Sequence, residues 1–287
     1  MPNRRDVKGR IATLREINGI LAAMKNLALM ELQKLGRFIG MQRRVARSIE
    51  AATADFLTFY PGDLPFPSNI FEVYLLVGSE RGFCGDFNET VIAAFRNSHP
   101  TPEPGVVAVG RRLAGKLSAA AMATNVIEGA GVAEEVEPAL TRLVELLSRL
   151  LRERGRGYLL GLTAFYHDHE SEAISVRRLL PMPDLPRPAR RFTFPPLLNI
   201  RPVQLLPKLV DHYLYAVLHE VLYSSLLAEN QRRLIHMDGA MRRIENDLAQ
   251  LKAKYNALRQ EEIIEEIEVI LLSAEAIAAD RPPTRRP

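Results

Sequence analysis

Met241-Arg-Arg-Ile244-Glu-Asn-Asp-Leu248-Ala-Gln-Leu251-Lys-Ala-Lys-Tyr255-Asn-Ala-Leu258 places apolar side chains at steps of 3, 4, 3, 4 and 3. A mean step of about 3.5 residues is the signature of a left-handed coiled-coil seam. Leu234 extends the apolar series upstream, while Arg232, Arg242, Arg243, Glu245, Asp247, Lys252 and Lys254 supply the wet face. No proline occurs between Lys208 and Arg281. Proline inside a helix costs about 3 kcal/mol, so its absence permits one helix over 208–281, on the order of 110 Å long at about 1.5 Å per residue. Such a rod projects beyond a small domain and needs a partner for its stripe. The opening of the chain offers one: Val7, Ile11, Leu14, Ile17, Leu21, Met24, Ala28, Leu32, Leu35 and Ile39 also run at steps of three or four. Gly9, Gly19, Gly36, Gly40 and Gly239 weaken the two rods locally, by about 1 kcal/mol each relative to Ala.

Between the rods the prolines crowd: fifteen of the 19 lie from Pro61 to Pro207. The segments they separate alternate in type. Phe71–Val77, Val106–Val109, Tyr158–Tyr166 and Ala173–Leu180 are β-rich runs, and Val126–Ile127 makes a short one. Glu89–Asn97, Arg111–Ala123 and Glu135–Arg154 have helical periodicity. Strands alternating with helices predict a mostly parallel sheet covered by helices. The expected organisation is therefore an N-terminal helix over 1–60, an α/β domain over 61–207 and a C-terminal helix over 208–287.

Composition narrows the class. Of 287 residues, 47% are hydrophobic and 25% charged, which excludes disorder and collagen. The lone Cys84 excludes an internal disulfide and a cysteine-based zinc site. No apolar run reaches the roughly 20 residues that would cross a bilayer, and no cleavable signal is expected in the charged start, so the chain is expected to be soluble or peripheral.

Three patterns suggest chemistry. Gly110-Arg-Arg-Leu-Ala-Gly115-Lys116-Leu117 has phosphate-loop spacing after a strand, but Leu117 stands where a metal-binding hydroxyl is required. A βα turn with a surface lysine is the expected reading, and a nucleotide enzyme using Lys116 the alternative. His167-Asp168-His169 has metal-ligand composition without a third ligand cluster, so an exposed turn is expected. Cys84 has no nearby histidine in sequence to act as its base, and a buried inert thiol is expected. Residues 1–50 carry eleven Lys and Arg against four Asp and Glu. A basic helix can follow phosphates, so a coiled-coil nucleic-acid binder is a second alternative, opposed by the acidic run Glu261–Glu268.

Together these features resemble the γ subunit of F-type ATP synthases over nearly the whole chain. The resemblance is carried by the opening helix Arg10–Ala28, by Leu76-Val-Gly-Ser-Glu-Arg81-Gly82-Phe-Cys84-Gly85-Asp-Phe-Asn88, and by two stretches near the end. In the first of these, Ala228-Glu229 through Arg233, Met237 and Ala240 match; in the second, Asn256, Arg259-Gln260, Ile263 and Glu266. The resemblance implies an antiparallel coiled coil of the terminal helices with a central Rossmann-like α/β domain. It implies a rotary shaft rather than an enzyme, without cofactor or metal. The implied partners are the catalytic α and β subunits, the ε subunit and the membrane ion-carrying c-ring, with no nucleic acid and no insertion into the membrane. The implied location is the cytoplasmic face of a bacterial cell membrane. Met24, Arg233, Arg259, Gln260 and Glu266 are the implied subunit contacts. Departures at Gly19–Ala22, Asp86, Arg242-Arg243 and Ile264 are similar to a divergent branch, such as that of a second or sodium-translocating complex. The apolar residues Ile263, Ile264, Ile267, Ile270, Leu271 and Leu272 form a tip expected to need a socket.

Overall fold

The computed structural model describes residues 3–60, 69–98, 105–120, 122, 124–155, 157–171, 173–181 and 194–279, the last six of these by backbone alone. The 60/61 boundary segment 61–68, most of the proline-rich exit (182–193) and residues 280–287 lie outside the described residues. The elements in chain order are α1 (Arg4–Phe59), β1 (Asn69–Val77), α2 (Phe87–Asn97), β2 (Gly105–Val109), α3 (Arg111–Ala119), β3 (Asn125–Ile127), α4 (Val136–Arg154), β4 (Tyr158–His167), β5 (Ile174–Leu180) and α5 (Pro202–Ala279). The chain divides into two compact units, Met1–Lys25 with Met237–Pro287, and Asn26–His236.

In the first unit the two terminal helices pair antiparallel. Val7, Ile11 and Leu248 are buried together, with Leu14, Ile244, Leu251, Tyr255 and Leu258 against them. Arg4 reaches Glu262 at 2.8 Å, whereas Lys25 reaches Asp238 at 2.5 Å, so low numbers meet high ones. On α5 the 3.5-residue seam is reproduced from Met241 to Leu258, each of its residues at least half-buried. On α1 the register departs from expectation at one place: Ile17 is 41% exposed, while Asn18 turns inward with its Oδ1 buried and without a hydrogen-bond partner among the described residues. The inward series is thus Val7, Ile11, Leu14, Asn18, Leu21 and Lys25. Strict alternation of four and three keeps one face on the partner, and it carries Asn18 inward despite its polarity.

The second unit is built on a five-stranded sheet of order β3-β2-β1-β4-β5. β1 pairs parallel with β2 and with β4, β2 parallel with β3, and β5 antiparallel with β4. Successive strand residues face opposite sides, so each strand feeds two cores. Val73, Leu75, Val77, Val107, Val109, Leu162 and Ala164 pack with α1, α4 and α5. Leu76, Val106, Ala108 and Phe165 pack with α2 and α3 on the other face. All residues of α5 from Val221 to Asn230 are buried. A helix buried all round loses amphipathic periodicity, which is why the heptad pattern fades upstream of Leu234.

One boundary differs from expectation. The last helix begins at Pro202 rather than near 208, with Pro207 inside it. Pro202 occupies the helix opening, where an N–H would have no intrahelical acceptor. Pro207 forfeits one backbone hydrogen bond ahead of the fully buried stretch, and packing of the following turns offsets that loss.

Candidate functional site

The phosphate-loop look-alike resolves into a βα turn. Gly110, at φ 111°, ends β2 and turns tightly over Ser79, whose carbonyl would clash with any Cβ there. The anion position at the start of α3 is filled from within. Glu80 Oε2 accepts from the backbone N–H of Arg111 at 3.0 Å and of Gly129 at 2.8 Å, and Arg111 Nε also donates to the Glu80 carboxylate. Burial alone would raise this carboxyl, but these donors outweigh it and hold it below its usual range. A fixed carboxylate where phosphate would sit repels phosphate. Lys116 points instead to Glu89 in an exposed ion pair, and Leu117 is fully buried. The nucleotide-enzyme alternative therefore has no site here.

The histidine segment is not the exposed turn that composition suggests. His167 is buried, stacked on Phe87 with ring centroids 3.8 Å apart, and its Nε2–H donates to the Phe87 carbonyl at 2.9 Å. His169 donates its backbone N–H to Ser224 Oγ at 3.2 Å. Asp168 faces Arg43, which also meets Glu170 and Glu220. Arg177 bridges Glu50 and Glu220 at 3.0 and 3.2 Å. Phe87 of α2 covers His167, and Ser224 of α5 holds Asp168 and His169, contacts invisible in the local sequence. Among the described residues no group of three His, Cys, Asp or Glu side chains is placed to hold a metal ion. Cys84 is buried, and burial raises its thiol, which keeps it protonated and weakly nucleophilic.

Four of the eleven basic side chains of this arm are spent on carboxylates within the chain. Arg4, Lys25, Lys34 and Arg43 pair with Glu262, Asp238, Glu134 and an acidic trio respectively. Charges neutralised in this way do not track a phosphate backbone, which disfavours the nucleic-acid alternative.

The implied contact residues fall into two groups. Arg259, Gln260 and Glu266 are exposed on α5, and Met24 is half-buried on α1. Arg233 is a correction: it is 5% exposed, with Nε donating to Gly82 O at 3.2 Å, Nη1 to Asn230 Oδ1 at 2.7 Å, and Nη2 to Glu229. An arginine that is buried and has each guanidinium nitrogen donating inside its own chain does not face outward. Its heptad position offered no warning, because the loop that covers it lies some 150 residues away in sequence. The tip is exposed as expected: Ile263, Ile264, Ile267, Val269, Ile270, Leu271 and Leu272 continue past Glu262 with no cover among the described residues. A second exposed apolar set, Leu27, Met30, Met41 and Val45, runs along α1 in the other unit, a signal not singled out by sequence.

A unit of two antiparallel helices with an uncovered apolar end and a unit built on a helix-covered α/β sheet define a stalk-type fold. The chain belongs to the ATP synthase family, whose model matches residues 3–277. It is similar end to end to proteins named ATP synthase gamma chain. That of Azobacteroides pseudotrichonymphae is 24% identical, covering 96% of this chain and 100% of the relative. That of Clostridium beijerinckii is 26% identical, covering 94% and 97%. Solved structures share the fold. The Euglena gracilis mitochondrial ATP synthase, in its OSCP/F1/c-ring part, holds a chain matching with TM-score 0.63 at 12% identity, covering 99% of this chain and 98% of that one. A chain of the Tetrahymena thermophila central stalk and c-ring matches with TM-score 0.52 at 16% identity, covering 77% and 99%.

Proposed function

We infer that this γ-type chain is the central rotor stalk of an F-type ATP synthase, a non-catalytic subunit that couples ion-driven rotation to ATP synthesis or hydrolysis in surrounding subunits. The observation that carries the reading is the uncovered apolar end of α5. The pairing with α1 extends to Glu262, and the isoleucines and leucines beyond it stay exposed among the described residues. Contiguous exposed apolar surface marks an interaction site, and here the fitting occupant is the inner wall of a ring of catalytic α and β subunits. Such a shaft does chemistry at a distance. An asymmetric helix pair presents different side chains to each catalytic subunit, and each orientation biases that subunit only by its differential contacts.

Met24, Arg259, Gln260 and Glu266 are the residues we assign to those contacts; Arg233 is not among them. Arg259 has a planar fork suited to a carboxylate on a partner. The α/β unit serves as the foot, toward the ε subunit and the c-ring. Among the described residues no helix is long and apolar enough to cross a membrane, which supports peripheral attachment, here at the cytoplasmic face of a bacterial membrane.

The test is reconstitution with catalytic α and β subunits and the remaining subunits in vesicles. Arg259→Ala should assemble, melt as the parent does when free, and lower ion pumping per ATP hydrolysed. Parent complexes that hydrolyse ATP without any dependence on this chain would refute the rotor reading.

A further inference from the structure

The loop between β1 and α2 is tied to α5 by a set of contacts that the fold alone does not require. Glu229 is 2% exposed in the middle of α5, and its carboxylate meets the Arg233 guanidinium and the backbone amides of Glu80 and Arg81. Arg233 in turn donates to the Gly82 carbonyl. The loop is thus held at two points, with the Glu229 carboxylate facing the N–H groups of Glu80 and Arg81 and the Arg233 guanidinium donating to the Gly82 carbonyl. Two outer contacts flank this pair. Arg232 Nη1 lies 3.3 Å from Asp86 Oδ1, and Gly85, at φ 64°, packs so closely on His236 that a Cβ would overlap the ring. Cys84, Phe87 and Ala228 close the apolar floor.

What the clamp displays is unusual. Phe83 has a positive φ of 65°, a conformation rare for a residue with a bulky side chain, and its ring is 61% exposed. A strained backbone with an exposed aromatic persists only when surrounding contacts over-determine it. Stability of the α/β core would be served as well by an apolar pair, since a buried ion pair gains little over well-packed hydrophobic residues. Its particular property is geometric: a guanidinium fork and a carboxylate fix the loop in orientation and not merely in distance.

We propose that Glu229 and Arg233 are positioning residues that lock the 80–84 loop onto α5, so that a displacement of the helix carries the loop with it. The consequence for coupling rests on the rotor reading above; the lock itself does not. In the full chain with Cys84→Ser, spin labels at Phe83→Cys and Ile235→Cys report the loop-to-helix distance. The parent should give one narrow distribution, and Arg233→Gln and Glu229→Gln should each broaden it at least twofold. Arg233→Lys, which keeps the charge but loses the fork, should fall between and serves as the reading if either glutamine variant fails to fold. In the reconstituted complex the same variants should lower ion pumping per ATP hydrolysed several-fold while assembly and hydrolysis persist, with Lys116→Ala as an unaffected control. Unchanged distance distributions would overturn the lock. Broadened distributions with an unchanged pumping-to-hydrolysis ratio would overturn the positioning role. Failure of the rotor reading is distinguishable, because then even the parent chain would not support pumping.

Discussion

Replacing Ile264 and Ile267 together by alanine should separate the folding of this chain from its seating among other subunits. The two side chains are 55% and 51% exposed, so about half of each remains to be buried by a partner. Full burial of an isoleucine side chain is worth about 1.5–3 kcal/mol, which leaves roughly 1 kcal/mol per residue to be gained in a closed socket. The double substitution should then weaken assembly by about 2 kcal/mol, or on the order of 30-fold. In the free chain nothing is lost, because neither residue packs on α1, and alanine is the better helix former by a few tenths of a kcal/mol per site. Melting of the free chain should stay within about 0.5 kcal/mol of the parent. Leu248→Ala is the matching control with the opposite signature. It lies in the seam against Val7 and Ile11, and a buried leucine truncated to alanine costs about 2–5 kcal/mol of folding stability. The assays are thermal melting of the free chain by circular dichroism and titration of assembly with the catalytic subunits. Parent-like assembly of the double variant would refute the seated tip, and a lowered melting point would refute the claim that the tip is unpaired.

Other expectations follow from side chains already described. Lys116→Ala removes only an exposed ion pair with Glu89, worth about 0–1 kcal/mol, and should leave ATP turnover of the complex unchanged; nucleotide binding by the isolated parent chain that Lys116→Ala abolishes would contradict this. Burial holds His167, His169 and His219 below the usual histidine value of 6.5. Their unfolded forms therefore take up protons first. The stability they contribute is complete above about pH 6.5 and is lost as pH falls below it, measurable as a falling melting point that His167→Gln makes less steep. Glu229 has the opposite sign. Burial pushes it up to about 7 from 4.5, outweighing Arg233, so its contribution is complete below 4.5 and lost as pH rises to about 7. Carbon-detected titration of the Glu229 carboxyl should show a midpoint near neutrality, and a midpoint in the ordinary carboxylate range would refute that reading.

Legibility in the sequence followed the range of the interactions. The seam from Met241 to Leu258 was readable because coiled-coil packing repeats locally, and a few turns of helix contain the whole pattern. The strand and helix alternation from Phe71 to Leu180 was readable for the same reason, and the observed bounds differ mainly at helix ends, as at Ala119 in place of Ala123. Phosphate binding at Gly110–Lys116 could be doubted from Leu117 alone, but that Glu80 takes the anion position needed the fold, because the carboxylate arrives from the loop after the neighbouring strand β1. The inward turn of Asn18 in place of Ile17 was within reach of strict heptad counting, had polarity been weighed less than spacing.

Arg233 and His167 mark the other limit. By composition each belongs on a surface, and each is buried by a segment distant in sequence: the 80–84 loop over Arg233, Phe87 over His167. Pro207 likewise sits within a helix that its local preference opposes, held there by the packing of turns beyond it. Periodicity and proline placement by themselves determined the two long helices, the apolar stripes that call for a partner and the α/β middle, since backbone sterics and apolar spacing act over neighbouring residues. Only the tertiary structure decided which polar groups are enclosed and which apolar ones stay bare. Burial depends on where distant segments meet, and desolvation, hydrogen-bond partners and ionisation all follow from that meeting.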